Sequence, residues 1–511
     1  MNLNNLYNFK NPIRHFIDIE SLWFPTDDSS FEINKLSWTG PFSFRIKKQD
    51  DKYRTLKIPN ILNFLASYRH FKELENFNNI QEMDPIHKRL SANILTGDFV
   101  SGEYDRQLQR DFERLCIYDY LLKVDIKEYY GRIYTHYLDY QGCVEQYLTN
   151  MNRGATNGLI MGNYISLYFA ELNLKHISRD IERYMERDGL DCEFSYFSDD
   201  FYFFCNKRDV EQVIEIFDMV LEKYGLERNE FEKEIWTYET FNNYNLVERY
   251  WKRIIVYCLQ KFDEQINYNQ LYFINQIIYR MSNLKDSKHK KVLINNFFKT
   301  KYFQELNLGK YKINNYDYHQ LCFLFKYSPE VLLYCIDRFN DMPGFNKQKV
   351  HRFFEKRYIE SLRVRFNDEQ LYFYYALKIL DFDDILNETK DLVLDSKNQI
   401  LISYYLKDGI FEETEIEKLK EQEGEEYWFQ NYHLILFSDE LRSNLEGSIS
   451  KYLIPKEANK EIQKQSYIDF YKENISSSNK IIRDIIDVND EIKDYLALKA
   501  EEITVAFEPL D

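Results

Sequence analysis

The sequence predicts an α+β region followed by an all-helical region. Up to about residue 245, short apolar runs such as "LLKVDI" and "FYFFCN" alternate with helical patterns, which is typical of mixed strands and helices. Beyond about residue 246, amphipathic helical segments recur roughly every 30–45 residues with short polar breaks, which indicates helical repeats. We therefore predict two domains, residues 1–245 and residues 246–511.

The composition supports this division. The chain has 511 residues, more than one hydrophobic core usually reaches, and only 15 Gly and 9 Pro, whose scarcity favours long helices. No apolar run is long enough to predict a membrane span, and the N-terminus lacks the pattern of a signal peptide. The seven Cys form no C-x-x-C pair. We therefore expect reduced thiols and a cytoplasmic protein.

Charge is unevenly distributed along the chain. The net charge of −17 argues against a protein that coats nucleic acid indiscriminately. However, residues 44–57, "FRIKKQDDKYRTLK", carry six basic and two acidic side chains. Residues 411–426, "FEETEIEKLKEQEGEE", carry eight acidic and two basic side chains. We therefore expect a basic patch early in the chain and an acidic surface late.

The central elements of the first region follow from apolar spacing. The segment "LLKVDIKEYY" (residues 121–130) reads as an apolar strand that ends in one carboxylate, Asp125. Residues 163–189 carry apolar side chains at helical intervals and predict one long helix that Gly189 ends. The stretch "VEQVIEIFDMVLEKYGLE" predicts another helix, which ends near Gly225.

Between these helices lies "FSYFSDDFYFF" (residues 194–204), an aromatic run with two adjacent aspartates, Asp199 and Asp200. Neighbouring side chains of a strand point to opposite faces, and this run is apolar on both, so a continuous strand would bury both charges. A hairpin with the aspartates at its tip avoids this. Taken alone, an ordinary solvated turn explains the pair at least as well.

The aspartate pair indicates a candidate metal site when it is considered together with Asp125. If the two strands lie side by side, three carboxylates meet at one place. Such a cluster holds two divalent cations about 3.5–4 Å apart for in-line attack on a phosphate. Mg²⁺ prefers oxygen ligands, with Mn²⁺ as an alternative ion, and clustered like charges themselves indicate a bound metal.

These motifs together resemble a reverse transcriptase. "YFSDDFYFF" resembles the Y-x-D-D hairpin of that family, with Phe197 at the Tyr position, and "VDIKEYY" resembles its first catalytic strand. The resemblance implies a right-hand polymerase with fingers and palm. It implies that Asp125, Asp199 and Asp200 bind two Mg²⁺ ions, with Ile126 lending its backbone carbonyl.

Further positions resemble the nucleotide site of the family. Tyr130 falls where reverse transcriptases keep a bulky aromatic against the sugar 2′ position, although a core tyrosine is the alternative. "GLIMGNYISLYFAELNL" resembles the Gly-rich turn before the palm helix, with Met161 and Gly162 near the nucleotide. Residues 47–59 resemble the fingers hairpin. There the resemblance implies that Arg54, with Lys47 or Lys48, binds the triphosphate, although exposed basic residues on a hairpin are also ordinary.

The resemblance covers roughly residues 40–235 and weakens after residue 225. The segment "GRIYTHYL" (residues 131–138) is similar to abortive-infection, AbiK-like reverse transcriptases and other phage-defence relatives. That group carries a helical-repeat (HEAT-like) domain where other polymerases have a thumb. The acidic stretch at 411–426 also suits the tracking of a nucleic-acid duplex poorly.

The resemblance implies a phage-defence DNA polymerase. Such enzymes use dNTPs without an added template, start from a tyrosine hydroxyl and keep a covalently attached single-stranded DNA product. They form homo-oligomers, trimers or hexamers, and some relatives use a noncoding RNA. With 43 Tyr, the sequence does not specify the priming tyrosine, and it does not specify the phage trigger.

Two alternatives remain open from the sequence. One is a conventional RNA-templated reverse transcriptase, either retron-like or dependent on a noncoding RNA. The other is a catalytically silent oligomeric scaffold, against which the intact Asp125, Asp199 and Asp200 argue.

Overall fold

The computed structural model describes residues 2–25, 31–48, 52–100, 102–138, 144–245, 271–284 and 287–505. The predicted domain boundary at residue 245/246 borders residues 246–270, which lie outside the described residues. Within the described ranges, all strands precede residue 237, and the chain from residue 271 onward is helical. The predicted change from mixed to helical structure is therefore present.

The first region contains both strands and helices. Its strands are β1 (Phe42–Lys47), β2 (Tyr53–Ile58), β3 (Ala92–Asn93), β4 (Asp98–Phe99), β5 (Tyr120–Asp125), β6 (Cys192–Phe197), β7 (Asp200–Cys205) and β8 (Glu234–Trp236). Its helices are α1 (Leu3–Tyr7), α2 (Ile61–Phe71), α3 (Gly102–Leu115), α4 (Tyr129–Arg132), α5 (Val144–Asn150), α6 (Tyr164–Arg187), α7 (Val210–Lys223) and α8, helical over the described residues 238–245.

The second region consists of helices joined by short turns. They are α9 (Tyr272–Asn283), α10 (Ser287–Lys299), α11 (Lys301–Gln304), α12 (Asn315–Tyr327), α13 (Leu332–Asn340), α14 (Gln348–Val364), α15 (Asn367–Ile379), α16 (Asp383–Glu388), α17 (Lys390–Ser396), α18 (Gln399–Lys407), α19 (Glu413–Lys420), α20 (Trp428–Phe437), α21 (Asp439–Ser443), α22 (Leu445–Tyr452), α23 (Glu461–Ser476) and α24 (Ile485–Val505). Among the described residues, none of the helices combines the length and apolar character that crossing a bilayer requires.

The central sheet is antiparallel and has the strand order β6-β7-β5-β8. It is buried on both faces, which explains why its strands are apolar on both faces in the sequence. On one face, Phe201 and Phe203 pack on Phe217 of α7. On the other face, Leu121 and Phe204 pack in a cluster with residues of α3 and with α8.

The N-terminal segment joins the two regions. Ile17 forms an antiparallel bridge with Ile482, just before α24. The Phe16 carbonyl accepts a hydrogen bond from the Tyr404 hydroxyl on α18 (3.1 Å), and the Trp23 N–H donates to the Asn474 side chain on α23 (2.7 Å). Because these contacts involve backbone groups, the first residues of the chain lie in fixed positions between the sheet and the helices.

Candidate active site

The two adjacent aspartates lie at the tip of a tight hairpin, as predicted. Phe197 on β6 pairs with Asp200 on β7, and Ser198 and Asp199 form the turn between them. Ser198 has a φ of +54°, a left-handed conformation that costs a non-glycine residue about 1–2 kcal/mol. Strain of this kind is retained where the surrounding structure fixes a functional geometry.

The predicted third carboxylate lies beside the other two. Asp125 ends β5 and stands directly opposite Asp200 in the register between β5 and β7. The Ile126 N–H donates to the Asp199 carbonyl (3.0 Å), so the end of β5 is tied to the hairpin tip. The structure therefore brings Asp125, Asp199 and Asp200 together from segments that are far apart in the sequence.

Asn229 holds Asp125 in place, and the sequence reasoning did not identify it. Its backbone N–H donates to the Asp125 carbonyl (2.8 Å), and its side-chain amide donates to Asp125 Oδ2 (3.1 Å). Asn229 lies in "GLERNEFEKEIW", where the resemblance to reverse transcriptases is weak. The signal that could have found it is the Asn of the family's Gly-Leu-x-Leu-Asn-x-x-Lys segment, with which Asn229 keeps register although Arg228 replaces the second Leu and Lys233 is one place late.

The carboxylates of Asp125 and Asp199 repel each other. The pKa of Asp125 is raised to about 7, first by burial and then by the charge of Asp199, while the hydrogen bond from Asn229 opposes the rise. Asp125 is half-buried, so the repulsion is only partly screened by solvent. A divalent cation between the two groups would relieve this repulsion.

Asp200 already has a cationic partner. The Lys123 ammonium lies 3.0 Å from Asp200 Oδ1, and both side chains are largely buried. Burial acts to lower the pKa of Lys123, but Asp200 outweighs it and raises that pKa above its usual value. Lys123 stands two residues before Asp125 on β5 and therefore lies on the same face of the strand. The sequence reasoning did not identify this contact.

The donor set fits Mg²⁺ in type, although the carboxylates are not all turned to one point. Across the described ranges, no three His, Cys, Asp or Glu side chains converge in the arrangement of a ready metal site. The Asp200 carboxylate is instead held in its ion pair with Lys123. Asp125 and Asp199 remain as hard oxygen donors, and Mg²⁺ is commonly bound by one or two carboxylates plus substrate phosphates and water.

A cleft of about 370 Å³ opens at the hairpin tip. Predicted site residues from four separate segments line it together: Arg54, Tyr130, Met161, Gly162, Asp199 and Asp200. A cleft lined by both carboxylates and a guanidinium is suited to a metal-bound polyphosphate. The cleft thus joins most of the predicted nucleotide-binding residues to Asp199 and Asp200, while Asp125 is not among its lining residues.

Lys47 and Lys48 have different surroundings and do not line this cleft. The Lys47 ammonium lies 3.2 Å from Glu369 on α15, with exposed side-chain fractions of 19% and 4%. The Lys48 backbone carbonyl accepts a hydrogen bond from the Lys291 ammonium (3.4 Å). The predicted binding of a triphosphate by these two lysines stays a prediction, and the placement of Lys47 does not favour it.

Gly162 gives the turn before α6 a backbone conformation that favours glycine, next to the β1–β2 hairpin, where a Cβ would make only an ordinary contact. It has a φ of +122°, which side chains rarely adopt, and a Cβ there would lie 3.6 Å from Leu56 on β2. The Met161 carbonyl accepts a hydrogen bond from the Lys57 N–H (3.3 Å). The cleft wall is therefore continuous from the hairpin to the turn.

N-terminal residues that the sequence reasoning did not identify complete the cleft. Phe9, Lys10 and Asn11 line it, together with Phe99. The Phe197 ring meets the Phe99 ring edge-to-face at 5.0 Å, and the Lys10 ammonium lies 5.4 Å from the Phe197 ring centre. The Phe197 ring is thus packed between a second ring and a cation, and nothing in these contacts requires or excludes a hydroxyl.

We expect Asp125→Asn to stabilise the metal-free protein at pH 8. The folded protein raises the pKa of Asp125 to about 7 from an unfolded value of about 4. The stability this group contributes is therefore present below pH 4 and lost as the pH rises through 7. With EDTA at pH 8, the amide should raise the free energy of unfolding by about 1–2 kcal/mol, discounted for partial exposure.

Thermal melting in EDTA at pH 8 and pH 5 tests this expectation. The gain should shrink at pH 5, where Asp125 is protonated. Asp391→Asn, at an exposed carboxylate, is the matched control and should shift the melting temperature little at either pH. An equal loss of stability at both pH values would contradict the assigned repulsion.

Comparison with known proteins assigns no family. No family model matches the chain, and no curated protein matches it. Among solved structures, it is similar to telomerase from Candida albicans in complex with the TWJ fragment of telomeric RNA, at 12% identity and a TM-score of 0.30. It is also similar to apo telomerase from Candida tropicalis, at 11% identity and a TM-score of 0.31.

These similarities are distant. The first covers 75% of this chain and 64% of the telomerase chain, and the second covers 73% and 67%. The chain thus spans about two thirds of the length of these telomerases. Similarity of this degree assigns no function, so the chemistry of the cleft must be argued from its own residues.

Proposed function

We propose that this protein is a metal-dependent nucleotidyltransferase that polymerises deoxynucleotides in the manner of a reverse transcriptase. One observation carries the proposal: Asp125 stands opposite Asp200 at the hairpin that carries Asp199, beside a cleft that Arg54 and Tyr130 line. In-line displacement at phosphorus needs clustered carboxylates for cations and a guanidinium for the polyphosphate. This chain supplies both.

Each residue of the cleft has a role in this proposal. Arg54 binds the triphosphate through its planar fork of donors, which matches phosphate oxygens. Asp125 and Asp199, with the Ile126 carbonyl, hold Mg²⁺ or Mn²⁺, and Lys123 keeps Asp200 neutralised. When bound, the two cations supply charge stabilisation for the attacking and leaving oxygens. Tyr130 borders the sugar and leaves no room for a ribose 2′-hydroxyl.

A second cleft, of about 190 Å³, is a place for the growing strand. It shares Phe197 and Asp200 with the first cleft. Its lining combines aromatic and basic side chains: Tyr104, Tyr202, Trp236, Tyr244, Arg89 and Lys123. Arg89 and Lys123 are paired with Asp111 and Asp200, which line the same cleft. The aromatic rings, on which a nucleobase can stack, are therefore what suits this cleft to one single-stranded nucleotide next to the carboxylates.

The biological role belongs to the same proposal. The resemblance to AbiK-like enzymes supports a role in abortive infection, with template-independent synthesis that starts from a tyrosine hydroxyl. A hydroxyl near the metals can replace the primer 3′-hydroxyl as the nucleophile. It displaces pyrophosphate from the α-phosphorus and remains linked to the product as a phosphodiester. The proposed assembly is a homo-oligomer, trimeric or hexameric, with a noncoding RNA as a further partner in some relatives.

Incubation with each labelled dNTP and Mg²⁺ tests the proposed function. We expect incorporation without an added template–primer, unchanged by nuclease pretreatment, and label that stays with the protein on a denaturing gel. Peptide mapping of the labelled adduct would then identify the tyrosine. If the wild-type protein incorporates no labelled nucleotide under any of these conditions, the proposal is wrong.

Other outcomes identify the alternatives. Strong stimulation by a template–primer would indicate a conventional RNA-templated enzyme. Loss of activity after ribonuclease treatment would indicate dependence on a noncoding RNA. Phage protection that persists in Asp199→Ala would indicate a scaffold whose role does not need polymerisation.

A further inference from the structure

The hairpin formed by β1 and β2 contacts the helical region along its outer strand. In β1, alternate N–H groups point away from β2 and form the free edge of the two-stranded sheet. The Arg45 N–H donates to the side-chain oxygen of Asn367 (2.7 Å), and the Lys47 N–H donates to the carboxylate of Asp368 (3.2 Å). Two successive edge donors are thus satisfied by the first turn of α15.

An ion pair and aromatic contacts extend this attachment. The Lys47 ammonium pairs with Glu369 at 3.2 Å and lies 5.2 Å from the centre of the Phe366 ring. At the other end of β1, the Phe42 ring packs on Trp428 and Phe429 of α20. The hairpin is therefore fastened at both ends of its outer strand.

The acidic residues of α15 are costly to bury. Asp368 and Glu369 are both largely inaccessible to solvent, next to each other in the first turn of the helix. The pKa of Asp368 is raised to about 7, first by burial and then by the charge of Glu369. Two adjacent buried carboxylates destabilise the fold unless they bind partners, and their partners here are groups of Lys47.

The pairing register of the β1–β2 hairpin connects the contacts with α15 to the cleft. Ile46, between the two anchored residues of β1, stands opposite Arg54 on β2. Ile46, Arg54 and Leu56 all line the cleft at Asp199. A shift of β1 against α15 would therefore move the Arg54 guanidinium relative to the carboxylates.

We propose that Asn367, Asp368 and Glu369 are positioning residues that hold the β1–β2 hairpin so that Arg54 faces the bound nucleotide. The proposal rests on the proposed function for its kinetic consequence but not for its structural one. The helical region is then a part of the nucleotide site rather than an appended domain. The nucleotide site is preformed, since the hairpin cannot swing away without breaking contacts of buried groups.

A double-mutant cycle on Lys47 and Glu369 tests the proposal. The variants are Lys47→Met, Glu369→Gln and the double substitution. Lys418→Met is the control, because Lys418 pairs with Asp391 on the exposed surface of the same region. The first measurement is hydrogen–deuterium exchange of residues 42–58 without nucleotide. We expect about tenfold faster exchange in both single variants and no further increase in the double variant.

The second measurement is the kinetics of dNTP incorporation. We expect KM for dNTP to rise about tenfold while kcat stays within about twofold, in each single variant and in the double variant alike. If Lys47 bound the triphosphate directly, Lys47→Met would raise KM while Glu369→Gln would not, and the proposal would be wrong. Unchanged exchange in the hairpin would also overturn it.

The two proposals fail in different ways. If the wild-type protein incorporates no nucleotide, the proposed function fails, but the exchange measurement still decides whether α15 holds the hairpin. If Glu369→Gln does not fold, Lys47→Met breaks the same ion pair from its more exposed side and supports the same exchange measurement.

Discussion

Replacing Asp199 by asparagine is expected to lower the rate of nucleotide incorporation at least about a thousandfold, which is about 4 kcal/mol of transition-state stabilisation. Asp199 lies in the hairpin turn and lines the cleft, and within the described ranges it has no ion pair with Lys or Arg. Its charge is therefore available to a cation. The same loss is expected for Asp125→Asn, because the two carboxylates repel each other across one site.

Asp200→Asn is expected to cost less, about tenfold to a hundredfold, because Lys123 already neutralises this carboxylate. Steady-state incorporation of a labelled dNTP at saturating Mg²⁺ measures all three variants. Asp391→Asn, an exposed carboxylate of the helical region, controls for the loss of a negative charge. Equal losses for Asp199 and Asp200 would show that the ion pair with Lys123 opens when the site is occupied.

Replacing Tyr130 by alanine is expected to lower the preference for dNTP over rNTP about a hundredfold, or about 2.7 kcal/mol. Tyr130 lines the cleft, and its ring packs edge-to-face on Tyr129 at 5.8 Å. The Tyr129 hydroxyl in turn donates to the Ala170 carbonyl on α6 (2.6 Å). The ring of Tyr130 thus has a rigid support and presents a fixed volume to the sugar.

The ratio of kcat/KM for dATP and ATP, measured for each variant, decides this prediction. Tyr130→Phe is the matched control and should keep the preference, because the ring excludes the 2′-hydroxyl by volume. Burial raises the pKa of Tyr130 well above its usual value, with further contributions from Glu171 and Asp199, so the hydroxyl stays neutral. A preference that falls in Tyr130→Phe but not in Tyr130→Ala would contradict the steric role.

The sequence predicted the elements around the candidate site where strong local patterns met. Apolar runs located β5 and β7, helical spacing located α6 and α7, and the paired aspartates at a predicted turn located the hairpin tip. Local propensity and burial agree in these segments, so the pattern is unambiguous. The α+β region and the helical region are likewise present as predicted.

The remaining contacts of the site depend on long-range packing and could not be read from local patterns. Lys123 looks like an ordinary polar residue of a strand, and its contact with Asp200 follows only from the pairing of β5 with β7. Phe9 and Lys10 reach the cleft because the N-terminal segment packs between the two regions. Lys47 looked like a phosphate ligand, and only the position of α15, more than three hundred residues later, shows its carboxylate partner.

The position of the N-terminal segment has a consequence for synthesis of the chain. One wall of the cleft, at Phe9 and Asn11, is continuous with residues that bridge to Ile482 and contact α23 and α24. A ribosome makes these partners more than four hundred residues after the wall itself. Contacts of such sequence separation form late, so the emerging chain has its carboxylate strands well before it has a complete cleft. The cleft is thus complete only when the last helices dock, and the proposed nucleotide chemistry would depend on that late step.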